Sequence, residues 1–178
     1  MSQYTTDEIL DMIEAHGGPR GLDLSGKDPL GIDLSGIDLS AEIIQKKRQE
    51  RGWPRGGQEP PWYSSGSNGL NLRGVRLWEA NLEGANLTSA DLADAVLAGA
   101  NLHSACLAYA SLQGAVLVGT RLEGADLTGA NLRGANLRRA YLRGSVLTKA
   151  DLSGANLTGA CIEPEQLRAV RSLDGAHL

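Results

Sequence analysis

Ala125-Asp126-Leu127-Thr128-Gly129-Ala130-Asn131-Leu132-Arg133-Gly134-Ala135-Asn136-Leu137 runs through the same five-residue unit more than twice over. Outward from it, leucine recurs at every fifth position from Leu72 to Leu157, eighteen times, and Ile162 makes a nineteenth apolar residue in phase. A period of five fits neither an α-helical stripe nor the alternation of a strand. A fixed short period instead marks a solenoid, in which each unit buries its apolar side only against its neighbours.

Indexed on the leucine, each unit has a strict composition. Two residues earlier stands Ala, unbroken through Ala80, Ala85, Ala90, Ala95, Ala100, Ala105, Ala110 and Ala115. The residue just before the leucine is usually Asn or Asp, as at Asn81, Asp91, Asn101, Asp126, Asn131 and Asp151, and two after it Gly is commonest. Asn, Asp and Gly tolerate tight bends and bond local backbone. A chain that bends every five residues and turns Ala and Leu inward makes a narrow tube. The absence of Phe agrees, because such a bore has no room for a ring.

These units resemble the pentapeptide-repeat family, whose consensus is A-(D/N)-L-x-x. The resemblance implies an all-β solenoid, a right-handed quadrilateral β-helix with one unit per side and the leucine and alanine positions inward. Units depart from the pattern before the leucine, at Arg76, Val96, Cys106, Val116, Arg121, Tyr141, Val146 and Cys161. The family fold leaves that position at the surface.

The organisation follows. Residues 1–20 read as an N-terminal capping helix, with Thr5 and Glu8 at capping-box spacing and Ile9, Leu10, Met12 and Ile13 on one face. Residues 21–40 carry units centred on Leu24, Leu34 and Leu39, with Pro29 in the fourth place, and are expected to form a first coil. The tract 41–69 breaks the repeat, as a helix to Arg51 stopped by Gly52 and then a Pro- and Gly-rich loop holding Trp53, Trp62 and Tyr63. The main β-helix spans 70–163. Residues 164–178 read as a C-terminal capping helix and tail, opened by Pro164 at a suitable first helical position.

Composition excludes several function classes. Net charge is −4, and no stretch approaches membrane-spanning length or has the form of a signal peptide. Cys106 and Cys161 fall nearly three coils apart and out of disulfide reach. A cytoplasmic protein is expected. His16, His103 and His177 lie in separate segments, so the sequence points to no catalytic residues, no metal and no cofactor, and to a protein that is not an enzyme.

Residues twenty apart lie on one side of adjacent coils in such a tube, so surface strips can be composed. The side carrying Leu77, Leu97, Leu117 and Leu137 holds Trp78, Val96, Ala98, Val116 and Val118 at outward positions. An apolar strip of this kind marks a contact. Two occupants fit: the Trp53, Trp62 and Tyr63 of the excursion, or another protein, including a second copy in a homodimer. A basic belt of Arg121, Arg133, Arg138, Arg139, Arg143 and Lys149 spans several sides, with only Tyr141 as an aromatic neighbour. This suits a solvated surface better than a nucleic-acid site.

Two functions remain. One is a non-enzymatic rigid scaffold for protein interaction. The other, implied by the family resemblance, is a DNA mimic that binds a type II topoisomerase (gyrase) and protects it from quinolones. A mimic six coils long would carry about 16 negative charges to match the duplex. Residues 70–163 carry eight Lys or Arg against eight Asp or Glu, a net of zero. The scaffold is the reading the charges favour.

Overall fold

The computed structural model of the chain describes residues 4–15, 46–47, 49–52, 63–64 and 69–178. The proposed coil at 21–40, Trp53 and Trp62 lie outside these residues. From Asn71 onward the chain is a four-sided solenoid. Parallel bridges join residues twenty apart in unbroken succession, from Asn71 and Asp91 to Tyr141 and Cys161. Each side is one pentapeptide, and four make a coil. Leucines 72 to 157 and the alanines between them form one interior, no leucine there being more than 2% exposed.

The backbone explains why the unit is five residues long. In all eighteen units the second residue after the leucine has φ between 55° and 70°. The N–H that follows closes onto the leucine carbonyl, as from Val75 to Leu72 (3.1 Å) and Ala130 to Leu127 (3.0 Å). Positive φ at the third residue of such a turn is type II geometry, which favours Gly. Seven units use another residue there, among them Tyr109 and Arg139. Some of these side chains lie across the turn glycine of the next coil. A Cβ added to Gly129 would fall 2.8 Å from the Tyr109 ring, and one on Gly114 would fall 2.8 Å from Asp94 Oδ1.

Every backbone donor of a regular unit is accounted for, as buried or half-buried amides require. Around Leu92, Asp91 donates to Leu70 in the preceding coil, while Leu92 and Asp94 donate to Ser111 and Gln113 in the next. Ala95 closes the turn onto Leu92. One N–H is left, that of Ala93, and it donates to the side chain of Asp91 at 3.1 Å. The Asn or Asp before the leucine is therefore the acceptor for the one amide that the ladder leaves out. Asn71, Asn81, Asn86, Asn101, Asp126, Asn131, Asn136, Asp151 and Asn156 do the same two residues on.

Two interior alanine positions hold polar residues, and both are satisfied. Thr120 donates to the Leu97 carbonyl at 2.7 Å. Ser145 accepts from Gln166, whose amide also bonds the carbonyls of Leu142 and Ser145.

At the N-terminal end, helix α1 (Thr6–Ala15) buries Ile9, Leu10 and Ile13 in the same cluster as Leu70 and Leu72. Thr5 and Glu8 form the expected reciprocal cap. A feature not foreseen is a basic clamp on the acidic face of α1. Lys47 meets Asp7 at 2.7 Å, and Arg51 meets Asp7, Asp11 and Glu14 at 2.8–3.2 Å. The Lys47 and Arg51 hydrogen bonds hold the Asp7 carboxyl below its ordinary range. Gly52, with φ 74°, ends that helical segment as expected. The excursion rejoins the tube through a short antiparallel pairing of Tyr63 with Leu70 and Ser64 with Gly69.

The C-terminal end differs from a simple closing helix. Helix α2 (Pro164–Arg168) is five residues long, with no residue buried. The chain then re-enters the ladder, Ser172 pairing with Asp151 and His177 with Asn156. The spacing there is twenty-one, so α2 replaces one unit of the last described coil and adds one residue. Ser172-Leu173-Asp174-Gly175 keeps the turn, with Gly175 at φ 68°.

Candidate functional site

The four sides of the tube share a backbone and differ in what they show. On the side of Leu77, Leu97, Leu117 and Leu137, Val96 and Val116 are consecutive rungs of one ladder column. Ala98 and Val118 follow in the next column, with Trp78 43% exposed one coil before Ala98. The structure thus brings five of the predicted contact residues together. Trp53 and Trp62 fall outside the described residues, and of Tyr63 only the backbone pairing is described.

The strip ends in arginine. Arg138 and Arg139 occupy the coil after Val118, both exposed, and Arg76 flanks Trp78. None of the three forms an ion pair among the described residues. Elsewhere the predicted basic belt is partly neutralised: Arg133 meets Asp151 at 3.3 Å, Arg143 meets Glu163 at 3.4 Å, and Arg121 lies 4.0 Å from Glu123. The belt is therefore no continuous basic face. Of its three members without an ion pair among the described residues, Arg138 and Arg139 belong to the apolar side and Lys149 to another.

A cleft of about 460 Å³ lies on another side, between Glu123, Tyr141, Arg143, Cys161, Ile162 and Glu163. Glu123 Oε2 there is buried and accepts no hydrogen bond from the described residues. Its neighbour one coil earlier, His103, has a buried Nδ1 that likewise has no hydrogen-bond partner among the described residues. Cys106 and Cys161 are both free and exposed. Among the described residues no cluster of three or more His, Cys, Asp or Glu is placed to hold a metal ion. No described helix is long and apolar enough to cross a membrane.

The family profile for pentapeptide repeats matches eight copies over residues 71–163, more than half of the chain. The chain belongs to the pentapeptide-repeat family. Solved structures resembling it are family members too. A pentapeptide-repeat protein (Rfr23) from the cyanobacterium Cyanothece 51142 is 23% identical over 95% of this chain and 98% of its own, at TM-score 0.42. One from the Arabidopsis thaliana thylakoid lumen is 27% identical over 85% and 81%, at TM-score 0.32. QnrB1, a plasmid-mediated fluoroquinolone resistance protein, is 18% identical over 88% and 79%, at TM-score 0.44. None of these likenesses assigns a partner to this chain. No curated protein matches the sequence.

Proposed function

We propose that this pentapeptide-repeat protein is a non-enzymatic scaffold of the cytoplasm that binds another protein through the Trp78, Val96, Ala98, Val116 and Val118 side. The single observation that carries the reading is the apolar character of that side on a tube whose other faces are mostly Asn, Asp, Thr, Ser and charged residues. A rigid repeat stack positions such a strip with little freedom to lose on binding, which is what a scaffold contributes to affinity. The free cysteines agree with a reducing compartment.

The occupant is tested with Val118→Asp in purified protein. Conversion of a dimer to a monomer in light scattering would identify a second copy. Increased quenching of Trp53 and Trp62 in a chain that stays monomeric would identify the excursion as an internal cover. A wild-type monomer whose tryptophans ignore the change, and which binds no protein that Val118→Asp releases, would show the strip to be bare and overturn the contact surface. A stoichiometric cofactor in native mass spectrometry would overturn the scaffold reading itself.

A further inference from the structure

The donor accounting singles out the same side on independent grounds. Where the residue before the leucine is not Asn or Asp, the amide two residues on loses its acceptor. Arg76, Val96 and Val116 are three such residues in consecutive coils of one column. The N–H groups of Trp78, Ala98 and Val118 accordingly donate to nothing among the described residues, whereas the ladder amides beside them, Leu77, Leu97 and Leu117, bond at 2.7–2.8 Å. In the next coil the acceptor returns, Asn136 taking the Arg138 N–H at 3.3 Å. Among the described residues no other side has three such amides in succession. Glu123 and Arg143 make two on one side, and Gln113, Ala108 and Thr148 stand singly.

From these amides and the arginines, we infer that the strip docks an acidic segment of another protein. The segment's carbonyl or carboxylate oxygens accept from the Trp78, Ala98 and Val118 amides, and its terminal carboxylates pair with Arg138 and Arg139. The inference rests on the reading of this side as a contact surface and adds the partner's chemistry. Three consecutive unmet donors call for a partner rich in acceptors, because a donor covered without one is costly. Outward positions 76, 78, 79, 96, 98, 116, 118, 138 and 139 carry three arginines against one carboxylate, Glu79, so the complementary charge is negative. Trp78 at one end and Arg138 and Arg139 at the other are the residue types that anchor interfaces, with small side chains between them. Gly99 and Gly119 beside Ala98 and Val118 raise no wall, so a narrow segment can lie along the tube axis. Coils rise by about 4.8 Å, so the strip from Trp78 to Arg138 is about 14 Å long and an extended segment of four or five residues covers it.

The test is selection of random peptides displayed on phage against the full chain, followed by titration of one synthesised winner. Expected winners place Asp or Glu next to apolar residues. Their affinity should fall about tenfold or more with Arg138→Glu/Arg139→Glu and with Val118→Asp, and should weaken with added salt. Val116→Asn, which supplies an acceptor to the Val118 amide, should also weaken binding. Winners without acidic residues, lost with Val118→Asp but indifferent to the arginine change, would overturn the acidic partner and leave the contact surface standing. Indifference to both changes would overturn both. A 20-base-pair duplex DNA that binds more tightly than any peptide and is lost with the arginine change would overturn the inference in favour of nucleic acid. No selection at all, with Trp53 and Trp62 shielded until Val118→Asp, would overturn it in favour of the excursion. Far-ultraviolet circular dichroism melts establish that each variant is folded.

Discussion

The side built on Leu72, Leu92, Leu112, Leu132 and Leu152 and the side built on Leu77, Leu97, Leu117 and Leu137 have the same turns, bridges and interior. On the first, Asn71, Asp91, Asn131 and Asp151 each accept the stray amide. On the second only Asn136 and Asn156, in the last two coils, do so, and valine and arginine stand in the three places before them. The difference separates two requirements that the family pattern merges. Leucine and alanine make the tube. The Asn or Asp beside them satisfies one surface amide, and a side can surrender it at a local cost. Surrender in three consecutive coils, to Arg76, Val96 and Val116, leaves a strip with unmet donors, the surface proposed above for binding.

The interior should show the largest effect. Leu117→Ala leaves a void in a fully buried position and should destabilise by about 2–5 kcal/mol in denaturant melts. Arg133→Ala, on the exposed surface, should change stability by less than about 0.5 kcal/mol. Equal effects would break the inward and outward assignment on which the comparison rests.

A reciprocal pair sharpens it. Asn131→Ala removes the acceptor of the Arg133 amide and should cost about 1 kcal/mol. Val116→Asn gives the Val118 amide an acceptor and should stabilise the free protein by a similar amount, about 0.5–1.5 kcal/mol. Destabilisation by both changes would mean that the valines are internally packed and that the strip is covered.

Acid sensitivity should differ least. The Ser153 hydroxyl and backbone N–H, with Arg133 beyond them, hold the Asp151 carboxyl below its ordinary range. A group with a lowered folded value contributes stability that is present above about pH 4 and is lost as pH falls below it. Asp7 behaves alike through Lys47 and Arg51. Asp7→Asn/Asp151→Asn should therefore narrow the difference in Tm between pH 7 and pH 3, and Val116→Asn should leave that difference unchanged.

Much of this was legible in the sequence, and the residues show where legibility ended. The solenoid followed from the period, the narrow tube from the unit's composition, its four sides from the family resemblance, and α1 from Thr5, Glu8 and its apolar face. The strip followed from reading at intervals of twenty. The clamp of Lys47 and Arg51 on α1 did not, because about forty residues separate the charges and nothing periodic links them. The re-entry at Ser172 was hidden by one added residue. Leu167 keeps the period but sits in α2, while Leu173 and Leu178 are spaced by five in a shifted phase. The unmet amides were implicit in each departure from Asn or Asp. Their meaning required knowing which donor that side chain serves.

Amide hydrogen exchange in the free, full-length protein, resolved residue by residue by NMR, tests the central claim most directly. The amides of Ala98 and Val118 should exchange at least about a hundredfold faster than the ladder amides of Leu97 and Leu117. Equal slow exchange would mean that the donors are already satisfied and covered, which would contradict an open binding strip.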